Sequence, residues 1–178
     1  MYMKNLLLTG PPGSGKTTVI RAIIEKARDL SPTGFYTAEI RKGGVRQGFE
    51  LVSLEGERSI LSDIHANKGP YVGRYRVHIE AFEAFLSTLT FDASMHHLFV
   101  VDEIGKMECL SPRFRSLVSV LLDGPVPFLA TISLHGTVHI EAIKHRSDVE
   151  VFLLSQENRE GIADLLFQKI RRVNEPTR

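Results

Sequence analysis

A chain of 178 residues can bury one full hydrophobic core, and its 22 basic and 21 acidic side chains leave a formal charge of only +1. That balance supplies no excess of cations for nucleic acid or an anionic membrane, so neither is expected as a partner. The single cysteine, Cys109, cannot close an internal disulfide, and the apolar run 5–8 is too short for a signal peptide or a membrane span, which points to the cytoplasm.

The first predicted element is a short apolar strand, Leu6, Leu7 and Leu8, running into Thr9-Gly10-Pro11-Pro12-Gly13-Ser14-Gly15-Lys16-Thr17-Thr18. Gly10, Gly15, Lys16 and Thr17 occupy the fixed positions of G-x-x-x-x-G-K-[ST], the P-loop. Glycines at 13 and 15 let the backbone turn tightly and point its N–H groups inward, making a nest for phosphate oxygens. The helix that begins near Lys16 adds its positive end. Lys16 is placed to reach the β- and γ-phosphates, Thr17 to ligate Mg²⁺, and Thr18 to meet the α-phosphate.

That helix carries an apolar face of Val19, Ile20, Ile23, Ile24 and Ala27 and ends before Pro32. Residues 34–41 and 47–54, followed by 57–61, are β-rich and separated by Lys42-Gly43-Gly44 and Glu55-Gly56, the pattern of an antiparallel meander on one edge of a sheet. Residues 66–78 read as a loop, marked by Gly69-Pro70 and Gly73. Ile79, Phe82, Phe85, Leu86 and Leu89 then recur at helical spacing. A buried strand over 98–101, a helix over 112–122, strands over 128–132 and 149–154, and a closing helix through Ile162, Leu166, Ile170 and Val173 complete the chain. Strands alternating with helices predict one α/β domain over 1–178 with a mostly parallel sheet and antiparallel edge strands.

The strand at 98–101 ends in Asp102-Glu103, the Walker B pattern. Asp102 would sit opposite Thr17 around Mg²⁺, and Glu103 would take a proton from an attacking water. An acidic residue in that second place goes with a strand inserted between the P-loop strand and the Walker B strand, and 128–132 is the candidate, with Thr131 expected to face the γ-phosphate. Asp102-Glu103-Ile104-Gly105 also fits the D-x-x-G of switch GTPases. The guanine-reading N-K-x-D that should follow is missing, since the Asn67-Lys68 pair lies upstream and continues Gly69-Pro70.

Beyond these motifs the chain resembles the THEP-type nucleoside-triphosphatase family. The shared blocks are TGPPGSGKTT (9–18), GFYTAEIRKGGVRQGF (34–49), VGRYRV (72–77), VVDEIGKME (100–108) and ENRE (157–160). Ala38 departs from the acidic residue common there, while Glu39 and Arg41 are kept. The resemblance implies a RecA-like three-layer P-loop fold and a slow Mg²⁺-dependent enzyme hydrolysing ATP, GTP, CTP, UTP and their deoxy forms to the diphosphate and phosphate. The nucleotide-binding set then takes in residues 10–18, Val101 through Met107 (with Lys106 near phosphate), and Asn158 and Arg159 near the base.

Arg41, Arg46, Arg74 and Arg76 lie in or near these blocks, each a candidate to meet charge on the transferred phosphoryl group. His135 and His139 are four apart, but Gly136, Thr137 and Val138 disfavour a helix there, so a metal pair is not expected. Cys109 reads as a small packed residue. The chain is expected to be a monomer. Two other functions fit the motifs: a small-molecule kinase using the 66–78 loop as a lid, and a nucleotide-gated binding module.

Overall fold

The computed structural model describes residues 3–175, so Met1, Tyr2 and residues 176–178 of the expected 1–178 domain lie outside it. Strand β1 (Asn5–Thr9) is buried along its whole length, and Leu7 packs on one face of the sheet while Leu6 and Leu8 pack on the other. That alternation requires cover on both sides. Helix α1 (Lys16–Lys26) starts at the end of the glycine-rich loop and buries Val19, Ile20 and Ile23.

The chain then forms β2 (Thr33–Lys42), β3 (Val45–Ser53) and β4 (Arg58–Asp63). A short hairpin follows, β5 (Tyr71–Val72) and β6 (Tyr75–Val77), before α2 (Ile79–Leu86). Next come β7 (Phe99–Ile104) and α3 (Pro112–Asp123), whose start is capped by Ser111 Oγ accepting the Phe114 N–H at 3.0 Å. Strand β8 (Phe128–Ile132), α4 (Val138–Lys144), β9 (Val149–Leu153) and α5 (Arg159–Asn174) end the fold.

One nine-stranded sheet runs in the order β5-β6-β4-β3-β2-β7-β8-β1-β9. Its half β2-β7-β8-β1-β9 is parallel, and β3 to β6 extend it antiparallel. The inserted strand is where the Asp-Glu pair predicts it: β8 pairs with β1 on one side and β7 on the other. Helices α1 and α5 cover one face, and a second core under α2, α3 and α4 is built on Phe35, Phe82, Phe85 and Phe114. Phe35 meets the other three rings edge-on at 5.7–6.2 Å.

Three segments differ from the sequence reading. Strand β2 does not belong to an edge meander alone: it pairs in parallel with β7 and antiparallel with β3, and so joins the two halves of the sheet. Residues 66–78 carry the β5–β6 hairpin, fastened to β4 through Ser62 and Asp63. Helix α4 is assigned to no element in the sequence reading: Gly136 and Thr137 stay outside it, as expected, but burial of Ile140 and Ile143 starts a helix at Val138.

Candidate functional site

The carboxyl ends of β1, β7 and β8 converge, which is where open α/β sheets bind ligands. A cleft of about 600 Å³ opens there. The glycine-rich loop forms one wall, contributing Gly10, Pro12, Gly13, Gly15, Lys16 and Thr17. Gly15 caps α1 in the left-handed region at φ 97°, and a Cβ there would come within 2.9 Å of the Arg159 guanidinium. Lys16 Nζ donates to the Gly10 carbonyl at 3.0 Å and the Pro11 carbonyl at 3.4 Å, spanning the loop.

The floor comes from the end of β7. Asp102 is only 1% exposed, accepts hydrogen bonds from the Thr131 and Thr17 hydroxyls, and has a second carboxylate oxygen, Oδ2, that is buried without a partner. Burial pushes its carboxyl up to about 6, against the pull of those two hydrogen bonds. Thr131 is therefore turned onto Asp102 and wholly buried; it does not face a phosphate as expected. Ser133, just past β8, lines the cleft instead, and its hydroxyl donates to Glu103 Oε1 at 2.8 Å. Glu103, Gly105, Lys106 and Met107 line the cleft. Val101 and Ile104 do not: both are fully buried in the apolar core, and a register irregularity in β7 between them lets both face that core.

Glu108 lines the cleft as well and is 6% exposed. Desolvation, then the charge of Glu103, raises its carboxyl to about 8, so it holds its proton at pH 7. A Cβ on Gly105 would come within 2.6 Å of Glu108 Oε2 and 3.0 Å of Glu103 Oε1, so a side chain there would have to move both carboxyl groups. Because the folded state keeps a proton that the unfolded chain releases near 4.5, stability falls as pH rises from about 4.5 to 8. Glu108→Gln, a mimic of the neutral acid, should match wild type in thermal melts at pH 5. By pH 8.5 it should exceed wild type by ~4 kcal/mol, or on the order of ten degrees.

The wall facing the loop comes from the antiparallel extension: Thr37 and Glu39 on β2, Arg46 and Phe49 on β3, and Val72 on the hairpin. Of the four candidate arginines, Arg46 alone lines the cleft. Arg41 is exposed and pairs with Glu39 at 2.6 Å. Arg74 donates to the Arg46 carbonyl at 2.7 Å, and Arg76 to the Gly69 carbonyl at 2.9 Å. Sequence reasoning missed Ser133, Glu108 and the role of Glu39. An acidic residue inside a β-rich run and a serine just past a strand were the available signals.

Pro11, Ser14 and Thr18 belong to the loop and helix start but do not line the cleft, and Thr18 is exposed. Asn158 sits at the start of α5 with its amide committed locally, accepting from Ser155 N–H at 2.9 Å and donating to the Leu153 carbonyl at 2.8 Å. Arg159 lies against the back of the loop at Gly15. His135 lines the cleft while His139 starts α4, and among the described residues no three His, Cys, Asp or Glu converge as a metal cluster. Cys109 is buried, and desolvation pushes its thiol up to about 12, which makes it a packing group. No helix among the described residues is long and apolar enough to cross a membrane.

Residues 5–170 match the family model described as NTPase. The nucleoside-triphosphatase THEP1 of Thermotoga maritima is 35% identical over 167 residues, spanning 93% of this chain and 95% of that protein. The human cancer-related nucleoside-triphosphatase is 37% identical, spanning 88% of this chain and 90% of its own. The crystal structure of THEP1 from Aquifex aeolicus superposes with a TM-score of 0.85 at 30% identity, covering 94% of this chain and 99% of the other. The solution structure of the human protein gives 0.79 at 34% identity, covering 96% and 99%. With the sheet order and the cleft already in place, these matches show that the chain belongs to the NTPase family, the family of the THEP1 nucleoside-triphosphatases.

Proposed function

We propose that this chain is a Mg²⁺-dependent nucleoside triphosphatase of broad base preference, working as a monomer in the cytoplasm and releasing a diphosphate and phosphate. One observation carries the reading. The glycine-rich loop with Lys16 and Thr17 shares one cleft with the half-buried Glu103 carboxylate, and behind it lies the buried Asp102, whose Oδ2 has no partner.

That unpartnered oxygen, on a carboxylate that also interacts with the Thr17 hydroxyl, fits a hard divalent cation, so Thr17 and Asp102 are the residues that would hold Mg²⁺. When bound, Mg²⁺ supplies charge neutralisation at the β- and γ-phosphate oxygens. The loop N–H groups and Lys16 bind the same oxygens and gain strength as charge builds in the transition state. Glu103, oriented by Ser133, accepts a proton from water. The water oxygen bonds to the γ-phosphorus while the bond to the β,γ-bridging oxygen breaks, and its electron pair leaves on the diphosphate.

Breadth of base preference is supported by Asn158. Its amide is held by its own loop, accepting from Ser155 and donating to Leu153, and is not turned into the cleft as a base-reading group. The kinase alternative needs a mobile basic lid, but the Arg74 and Arg76 guanidiniums are engaged on backbone carbonyls and stacked over Tyr75 and Tyr71.

Phosphate release should be followed for ATP, GTP, CTP, UTP and their deoxy forms, with Mg²⁺ and with EDTA. The expected profile is flat, with kcat/KM values within about tenfold of one another and activity lost in EDTA. A single nucleotide preferred by several hundredfold would contradict it, as would phosphate appearing only on an added acceptor.

A further inference from the structure

The wall opposite Lys16 carries a cation that the reaction just described does not use. Tyr36 pairs with Asp102, so β2 runs on past the ends of the parallel strands, and Glu39 lies about 10 Å further along the strand. The β2–β3 ribbon therefore overhangs the place where the distal end of a loop-bound triphosphate must lie.

Arg46 is the arginine of that ribbon facing the cleft. Glu39 holds it through an ion pair, and its guanidinium lies over the Phe49 ring at 5.3 Å. Phe49 in turn meets the Tyr75 ring at 5.3 Å, and Arg74 clamps the Arg46 backbone carbonyl. Partial burial raises the Glu39 carboxyl, but hydrogen bonds from Arg46 and Arg41 outweigh it and keep the group ionised. One carboxylate thus serves two guanidiniums, leaving this corner with a net positive charge. Arg46 Nε is buried yet has no hydrogen-bond acceptor. A buried guanidinium N–H left unpaired is costly unless an acceptor arrives.

We propose that Arg46 contacts the terminal phosphoryl group from the wall opposite Lys16, supplied in cis by the β2–β3 ribbon, with Glu39 as its positioning residue. The inference deepens the nucleoside-triphosphatase reading and rests on it. As the bond to the bridging oxygen breaks and the water oxygen bonds to phosphorus, negative charge spreads over the γ-oxygens, and Arg46 offers donors fixed in advance to receive it.

The test compares wild type with Arg46→Ala, Arg46→Lys, Arg41→Ala and Lys16→Ala in Mg-ATP hydrolysis. Binding of ADP alone and of ADP with aluminium fluoride, a stand-in for the transferring group, is measured in parallel. Arg46→Ala should lower kcat about 100-fold or more. It should leave ADP affinity within about threefold and lose the extra tightness of the aluminium fluoride complex. Arg41→Ala should stay within about threefold of wild type, because its side chain is outside the cleft.

If Arg46→Ala does not fold by thermal melt, Arg46→Lys decides. It keeps a stem over Phe49 and a charge but no planar fork, and its kcat should fall at least tenfold. An Arg46 variant turning over within threefold of wild type overturns the inference while Lys16→Ala remains inactive. So does Arg41→Ala losing as much as Arg46→Ala, which would assign the effect to the shared Glu39. Wild type without phosphate release, or an active Lys16→Ala, sinks the nucleoside-triphosphatase reading and this inference with it.

Discussion

Glu103→Gln is expected to bind a triphosphate about as well as wild type and to hydrolyse it ~10²–10⁴-fold more slowly. The carboxamide keeps the shape of the side chain and an oxygen that can still accept the Ser133 hydroxyl. It cannot take a proton from water. A loss of that size corresponds to about 3–5 kcal/mol of transition-state stabilisation with little change in ground-state binding. Single-turnover phosphate release alongside nucleotide titration separates the two quantities. Turnover at the wild-type rate would move the base elsewhere in the cleft, and weakened binding with unchanged turnover would make Glu103 a binding group.

Lys16→Ala should fail in the opposite way. The ammonium is held by the Gly10 and Pro11 carbonyls, so it is already stationed at the loop that would receive phosphate. Removing it takes a full charge from a site built for an anion. Triphosphate affinity should fall by about 100-fold or more, and hydrolysis should be lost. The diphosphate, which carries no γ-phosphate for Lys16 to reach, should lose less. Equal affinity of variant and wild type for the triphosphate would mean that the loop does not bind phosphate with this lysine.

The parts of the site that are legible in sequence are those made by contiguous residues. The loop from Gly10 to Thr17 carries its geometry in its spacing, and Asp102-Glu103 carries the inserted strand β8 with it. Residues brought in by strand register leave no such trace. Glu39 and Arg46 face the cleft because β2 overruns its parallel partner, and β2 is buried at its start but largely exposed at its end. A β-rich run with that mixed texture reads as an edge meander, which hid its second role as the seam of the sheet. Thr131 and Ser133 show how finely the placement is set: the end of β8 separates a hydroxyl sealed against Asp102 from one, just past the strand, holding Glu103. Helix α4 was hidden for a different reason, since tertiary burial of two isoleucines, not local propensity, makes it.

The central claim is that water attacks the γ-phosphorus of a triphosphate held in this cleft. Hydrolysis of ATP by the wild-type chain with Mg²⁺ in oxygen-18 water, read by mass spectrometry of both products, tests it most directly. One labelled oxygen in the released phosphate and none in the ADP is the predicted result. Label in the ADP, or AMP and pyrophosphate as products, would contradict it.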